Sequence, residues 1–123
     1  MNIVMAALII AFSNTLKDLY AFVQEVSPEN ASTIEQLKMY TKALEGTGYQ
    51  IFFDWIWDIL GKYQVEILQC NESFFLSMEF EEAQDKQYFT QFASVYKELS
   101  EDNRVKLWWY FQQLIKIGQR ING

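Results

Sequence analysis

Four acids crowd residues 79 to 85: Glu79, Glu81, Glu82 and Asp85. Carboxylates this close could hold Ca²⁺ or Mg²⁺, since both hard cations take oxygen ligands. The acid order of a calcium loop and its central glycine are missing, so a solvated acidic face, with no metal, is the expected state. Asp54 and Asp58, one helical turn apart, have the spacing of an acid/base pair. Lys62 falls on the same strip four residues later, which favours a solvated face over a reaction centre. Gly46-Thr47-Gly48 resembles a phosphate loop only superficially, because the flanking strand and the Lys-Ser/Thr pair are absent, and it is expected to join two helices. Cys70 has no basic neighbour in the sequence and is expected to be a small buried hydrophobe rather than a nucleophile.

The chain has no histidine and one cysteine. Nucleophile systems built on histidine, zinc sites of the usual cysteine and histidine type, and an intrachain disulfide are therefore excluded. A formal charge of -6 argues against nucleic acid, whose nonspecific affinity comes from clustered Lys and Arg. From Glu72 to Asp102 eight acids face Lys86 and Lys97, a surplus as large as that of the whole chain, which could dock a basic partner and equally serves solubility. No catalytic or cofactor motif emerges, and neither an enzyme nor a cofactor is expected.

The elements that must carry these residues are helical. With 123 residues, half of them apolar, 17% aromatic and a single proline, residues 1–123 are expected to form one domain around one core. No stretch alternates as a half-buried strand does, so the expected class is all-α, a single compact bundle of five to six short helices. Short loops imply that chain-adjacent helices pack antiparallel.

The apolar run Ile3 to Phe12 is shorter than the roughly 20 residues of a spanning helix, and no Lys or Arg precedes it as in a secretory signal, so it is expected to be retained. Continued at helical spacing it gives a stripe of Met5, Ile9, Phe12, Leu16, Leu19, Val23 and Val26, ended by Pro28. Ser32 to Glu35 and Thr47 to Gln50 each have the form of a capping box, and Gly46 offers a left-handed exit. The helix between them, about 33 to 45, should turn Ile34, Leu37, Tyr40 and Leu44 inward. The next, through Ile51 and Trp57, should be almost wholly buried, with Trp55 and Trp57 in the core. From Ala83 to Leu99 the inward positions are Tyr88, Phe92, Val95 and Leu99.

Ser100 should cap a last helix over 101 to 121, with Glu101 and Asp102 in its first turn and Lys116 and Arg120 near its end, complementing the helix dipole. Leu107, Phe111, Leu114, Gly118 and Ile121 form its seam, widened by Trp108 and Ile115. Trp109 points about 100° from Trp108 and, with Gln112 and Lys116 on its flank, is the candidate for a partner contact.

Ser100-x-x-Asn103-Arg104-x-x-Leu107-Trp108-x-Tyr110-Phe111-Gln112-x-Leu114 resembles the C-terminal signature of small helical proteins of nucleocytoplasmic large DNA viruses, in which a capping serine precedes (Ile/Leu)-Trp-x-Tyr-Leu-Gln-x-Leu. The segment FFDWIWDILGKYQVEI at 52 to 67 is similar in placement to their phenylalanine-rich helix. FLSMEF at 75 to 80 departs from their Pro-Gly before an acid and Phe. The resemblance implies a viral setting, inside the infected host or in the particle and not secreted, and an accessory or structural role. It implies no chemistry at any residue.

The expectation is a non-enzymatic interaction or structural protein. Its partners would be proteins, a second copy included, met through Ile3, Met5, Ile10 and Trp109. A membrane contact through the N-terminal helix, or a ligand pocket between helices, are the alternatives.

Overall fold

The structure, a computed structural model, describes residues 2–77 and 79–122. Within them no strand occurs, and five helices of 12 residues or more make up most of an all-α bundle. Asn2 opens α1 (Ile3–Val26), its side-chain oxygen accepting from the Met5 amide at 2.7 Å. The helix stops where Pro28 begins a 3₁₀ turn (Pro28–Asn30) that runs directly into α2 (Ala31–Thr47). Gly48, at φ 137°, makes the sharp exit into α3 (Tyr49–Leu60). A second 3₁₀ turn (Gly61–Tyr63) leads into the short α4 (Gln64–Leu68). The four-residue α5 (Ser73–Leu76) precedes α6 (Ala83–Glu98) and α7 (Glu101–Asn122).

Two of the expected caps are not formed, for local reasons. The 3₁₀ turn after Pro28 starts α2 before Ser32, leaving that serine inside the helix, while Glu35 accepts from Gln24 and pairs with Lys38. The Thr47 hydroxyl donates to the Leu44 carbonyl of its own helix, and Gln50 turns to Asp54. Gly46 is within α2, and the left-handed exit belongs to Gly48. Ser100 does cap α7, accepting from the Asn103 amide at 3.2 Å.

α1 and α2 run antiparallel, as do α6 and α7, where Tyr96 meets Trp108 and Phe92 meets Phe111. Along α1 and α2, Lys17 meets Glu45, Tyr20 meets Thr41 and Gln24 meets Glu35. The longest packing, however, joins the two ends of the described chain, α1 against α7. Phe22 packs against Tyr110 with centroids 5.3 Å apart, and Phe12 is linked through Phe53 and Trp57 to Gly118, so these helices too are antiparallel.

The core is one continuous set of apolar side chains with an aromatic backbone. In α5, neighbouring Phe74 and Phe75 point to two sides. Phe74 joins Tyr63, Phe80 and Phe89, while Phe75 joins Tyr96, Trp108 and Phe111. One short turn thus wedges between α6 and α7 and fills both sides, as edge and tilted ring contacts at 4.7–5.9 Å allow. The hydroxyls of Tyr20 and Tyr88 meet in the core at 3.0 Å, with Thr41 3.3 Å from Tyr20.

Several side chains lie further out than the periodicity predicts. Tyr40 and Ile51 are exposed, and Met5, Val26, Leu44, Trp55 and Trp57 are half-buried against the core. Cys70 is exposed, with φ 52°, where α4 ends. A thiol in that tight turn faces outward because the backbone reverses there, which no apolar period registers.

Candidate functional site

The segment Ser100 to Leu114, on which the resemblance rests, is spent first on its own structure. Arg104, one turn into α7, donates through Nε to the Tyr96 carbonyl at 3.0 Å and through Nη2 to that of Lys97 at 3.2 Å. These are among the last carbonyls of α6, beyond the reach of i+4 helical donors, although that of Tyr96 also accepts from the Leu99 amide at 3.3 Å, so Arg104 caps one helix from the next. Its guanidinium also stands 4.6 Å from the centre of the Tyr96 ring and 3.7 Å from Glu72. The Tyr96 hydroxyl donates to Glu72 at 2.6 Å and accepts from the Trp108 indole at 3.3 Å. Burial, and then the bond to Glu72, push the Tyr96 hydroxyl above the ordinary tyrosine pKa. Leu107, Trp108, Phe111 and Leu114 of the signature are buried. Gln112 reaches across to the carbonyls of Ile67 and Leu68 and to Sγ of Cys70.

Outside this brace lies a cleft of about 370 Å³ between the α4–α5 turn and the first two turns of α7, lined by Cys70, Arg104, Trp108 and Trp109 among others. Val105 and Trp109 form its apolar rim, 63% and 53% exposed. Glu72, Tyr96, Arg104 and Gln112 around it are already engaged, and the exposed Glu101 lies at its edge, so what it offers a partner is ring surface on a fixed frame beside one carboxylate.

The other three predicted contact residues lie elsewhere. Ile3 is 88% exposed and Ile10 45%, while Met5 is half-buried against the core. Trp109 is level with Phe22, as its neighbour Tyr110 shows, and Ile10 is about 18 Å back along α1 at about 1.5 Å per residue. The predicted interface therefore separates into two patches, at opposite ends of the α1/α7 pair.

The acidic cluster also divides. Glu79, Glu81 and Glu82 are exposed, but Asp85 is fully buried and belongs to no solvated face. It accepts from Lys62 Nζ at 2.9 and 3.1 Å and from the Tyr63 hydroxyl at 2.8 Å, and that hydroxyl in turn accepts from the Glu81 amide at 2.8 Å. Lys62 accordingly leaves the exposed strip of Asp54 and Asp58 and turns inward, its pKa raised by the bond to Asp85. Burial holds Tyr63 up at about 12. Every polar atom in this trio has a partner, and it ties the turn before α4 to the start of α6. Its signal was in the sequence: Asp85, Tyr88, Phe89 and Phe92 follow helical spacing, so Asp85 lies on the apolar stripe. Among the described residues no three acidic or thiol side chains converge as metal ligands. Gly46 to Gly48 joins α2 to α3 and cradles nothing but that turn.

Comparison with protein-family models, with curated proteins and with solved structures returns no match.

Proposed function

We propose that this chain is a non-enzymatic protein-binding or structural component of a large DNA virus, resident in the infected cell or the particle, whose simplest partner is a second copy of itself. The observation that carries the binding role is the Trp109 rim, an exposed tryptophan and Val105 on a helix start locked by Arg104, Tyr96 and Glu72. Exposed tryptophan on a preorganised frame is the kind of residue that dominates protein interfaces. The viral setting rests on the resemblance of the C-terminal helix.

Two apolar patches at opposite ends of antiparallel helices suit a two-fold pair, in which Trp109 of each copy meets the Ile3 and Ile10 end of the other. Such a contact would bury on the order of 1,000 Å² or more and survive high salt, because apolar burial is not screened. Light scattering after size exclusion, at low and high salt, tests it. A dimer that Trp109→Ser converts to a folded monomer is the expected result. A wild-type monomer under both conditions removes self-association and returns the Trp109 rim to other proteins.

A membrane contact is the second reading, favoured by α1 itself. Its 24 residues are long and apolar enough to cross a membrane, although a third of its most apolar window is buried in the bundle. Flotation of wild type with neutral liposomes, but not of an Ile3→Asp, Ile10→Asp variant, would favour that reading over the first.

A further inference from the structure

A second cleft, of about 350 Å³, opens where α2, α3 and α6 meet, and no charged side chain lines it. In a chain where about a fifth of the residues are charged, an uncharged cleft at a three-helix junction selects against ionic ligands. Its apolar surface is Leu37 and three aromatic rings. The half-buried Trp55 lies near Tyr40, with centroids 5.2 Å apart, and Tyr88, at 6.4 Å, the ring planes inclined at 70° in each pair. Its polar surface is amide: Gln84, Gln87 and Gln91 follow each other at helical spacing along one face of α6, and Gln36 faces them from α2.

These polar groups are largely unspent. Gln84 donates to Asp58 and Gln91 to the Gln87 carbonyl, and the Tyr88 hydroxyl is taken by Tyr20. The amides of Gln36 and Gln87, the Tyr40 hydroxyl and the Trp55 indole N–H have no partner among the described residues. An amide carries both a donor and an acceptor, as does a phenol.

We propose that this cleft binds a neutral carbohydrate. A sugar offers a flat C–H face to an aromatic ring and hydroxyls that donate and accept at once, which is the pairing that free amides satisfy on both atoms. A proline-rich peptide would supply mainly carbonyl acceptors and leave the amide oxygens unpaired. A nucleotide's phosphate would meet a cleft without a cation on a chain of charge -6, and a bare nucleobase, which can stack on one ring, is the case that adenosine tests. The volume is at the small end of ligand sites, the scale of one or two rings. This site is independent of the Trp109 rim and shares no residue with it.

The test is ligand-observed NMR and tryptophan fluorescence on the full chain with maltose, cellobiose, lactose, chitobiose and mannobiose, and with decaproline and adenosine as contrasts. Saturable binding of at least one disaccharide is expected, weakened about tenfold or more by Trp55→Phe and by Gln36→Ala with Gln87→Ala. The glutamine pair is exposed, so its loss leaves the core intact and separates recognition from folding. No saturable binding by any of the five at about 10 mM, or binding that both variants leave unchanged, overturns the proposal. Saturation by decaproline or adenosine alone does the same and assigns the cleft to that ligand.

Discussion

Gly118 of α7 lies flat against the indole of Trp57 of α3, so close that a methyl group on the glycine would overlap the ring. The indole cannot easily yield, since it stacks on Phe53 at 5.8 Å and has Gly61 of the following turn beside its five-membered ring. Gly118→Ala should therefore destabilise the fold by about 1 to 3 kcal/mol through overpacking, although alanine favours helix by about 1 kcal/mol over glycine. Gly46 is the contrast, within α2 and with open space at its Cβ position. Gly46→Ala should stabilise by about 0.5 to 1 kcal/mol. Urea denaturation of both variants checks the pair, and a neutral Gly118→Ala would show that α3 and α7 do not pack this closely.

The two adjacent tryptophans should behave oppositely. Trp108 is buried against Phe75 and Tyr96, with its indole N–H bonded to the Tyr96 hydroxyl. Trp108→Ala should cost about 3 to 5 kcal/mol, as loss of a large buried aromatic does. Trp109→Ala removes a rim residue and should cost less than about 1 kcal/mol. Thermal melts of the two variants side by side give the answer. Equal losses would mean that the helix faces are assigned wrongly.

What the sequence made legible is what local rules govern. The stripe of α1, the stop at Pro28, the Ser100 cap and the seam of α7 all follow from spacing, and the all-α class with them. The rest depends on partners distant in sequence. Lys62 continues an exposed strip by spacing, yet Asp85, 23 residues later, draws it inward. Tyr40 has the period of a core residue, yet at its level α2 borders a cleft rather than a helix, and its ring rests on Trp55 at the edge. That the predicted contact residues form two patches was hidden for a similar reason. Ile10 and Trp109 are both apolar and exposed, but only the antiparallel register of α1 and α7 shows that they stand at opposite ends.

The Lys62–Asp85 pair makes a prediction about single and double replacement. Asp85→Ala leaves the partly buried Lys62 ammonium and the buried Tyr63 hydroxyl without their acceptor, and should cost about 1 to 3 kcal/mol. Replacing both charges, Lys62→Met with Asp85→Leu, removes the desolvated ions together and should recover much of that loss. Denaturation across the double-mutant cycle measures the coupling. Additive losses would place the pair in solvent, against the complete burial of Asp85.

Stability should fall steeply at alkaline pH, because five groups titrate with the same sign. Burial raises Tyr20 and Tyr63 to about 12, and raises Tyr88 and Tyr96 as well. An unfolded tyrosine ionises near about 10, so the folded state retains protons that the unfolded chain has lost. The contribution is whole below the unfolded value and disappears as pH climbs through the folded one. Lys62 adds to this, since its bond to Asp85 raises its pKa and the ion pair that stabilises the fold is lost once the ammonium deprotonates. Each group can add up to about 1.4 kcal/mol of stability loss per pH unit in that window. The urea midpoint should be nearly level from about pH 7 to 9 and drop sharply above about 10, with tyrosinate absorbance rising together with loss of helical signal. Tyr20→Phe removes one titrating hydroxyl and leaves Tyr88 and Thr41 nearby, so its alkaline slope should be shallower than that of the wild type. Tyrosinate appearing in full while the helices remain intact would show that these hydroxyls are open to solvent, and would dissolve the buried contact of Tyr20 and Tyr88 that joins α1 to α6.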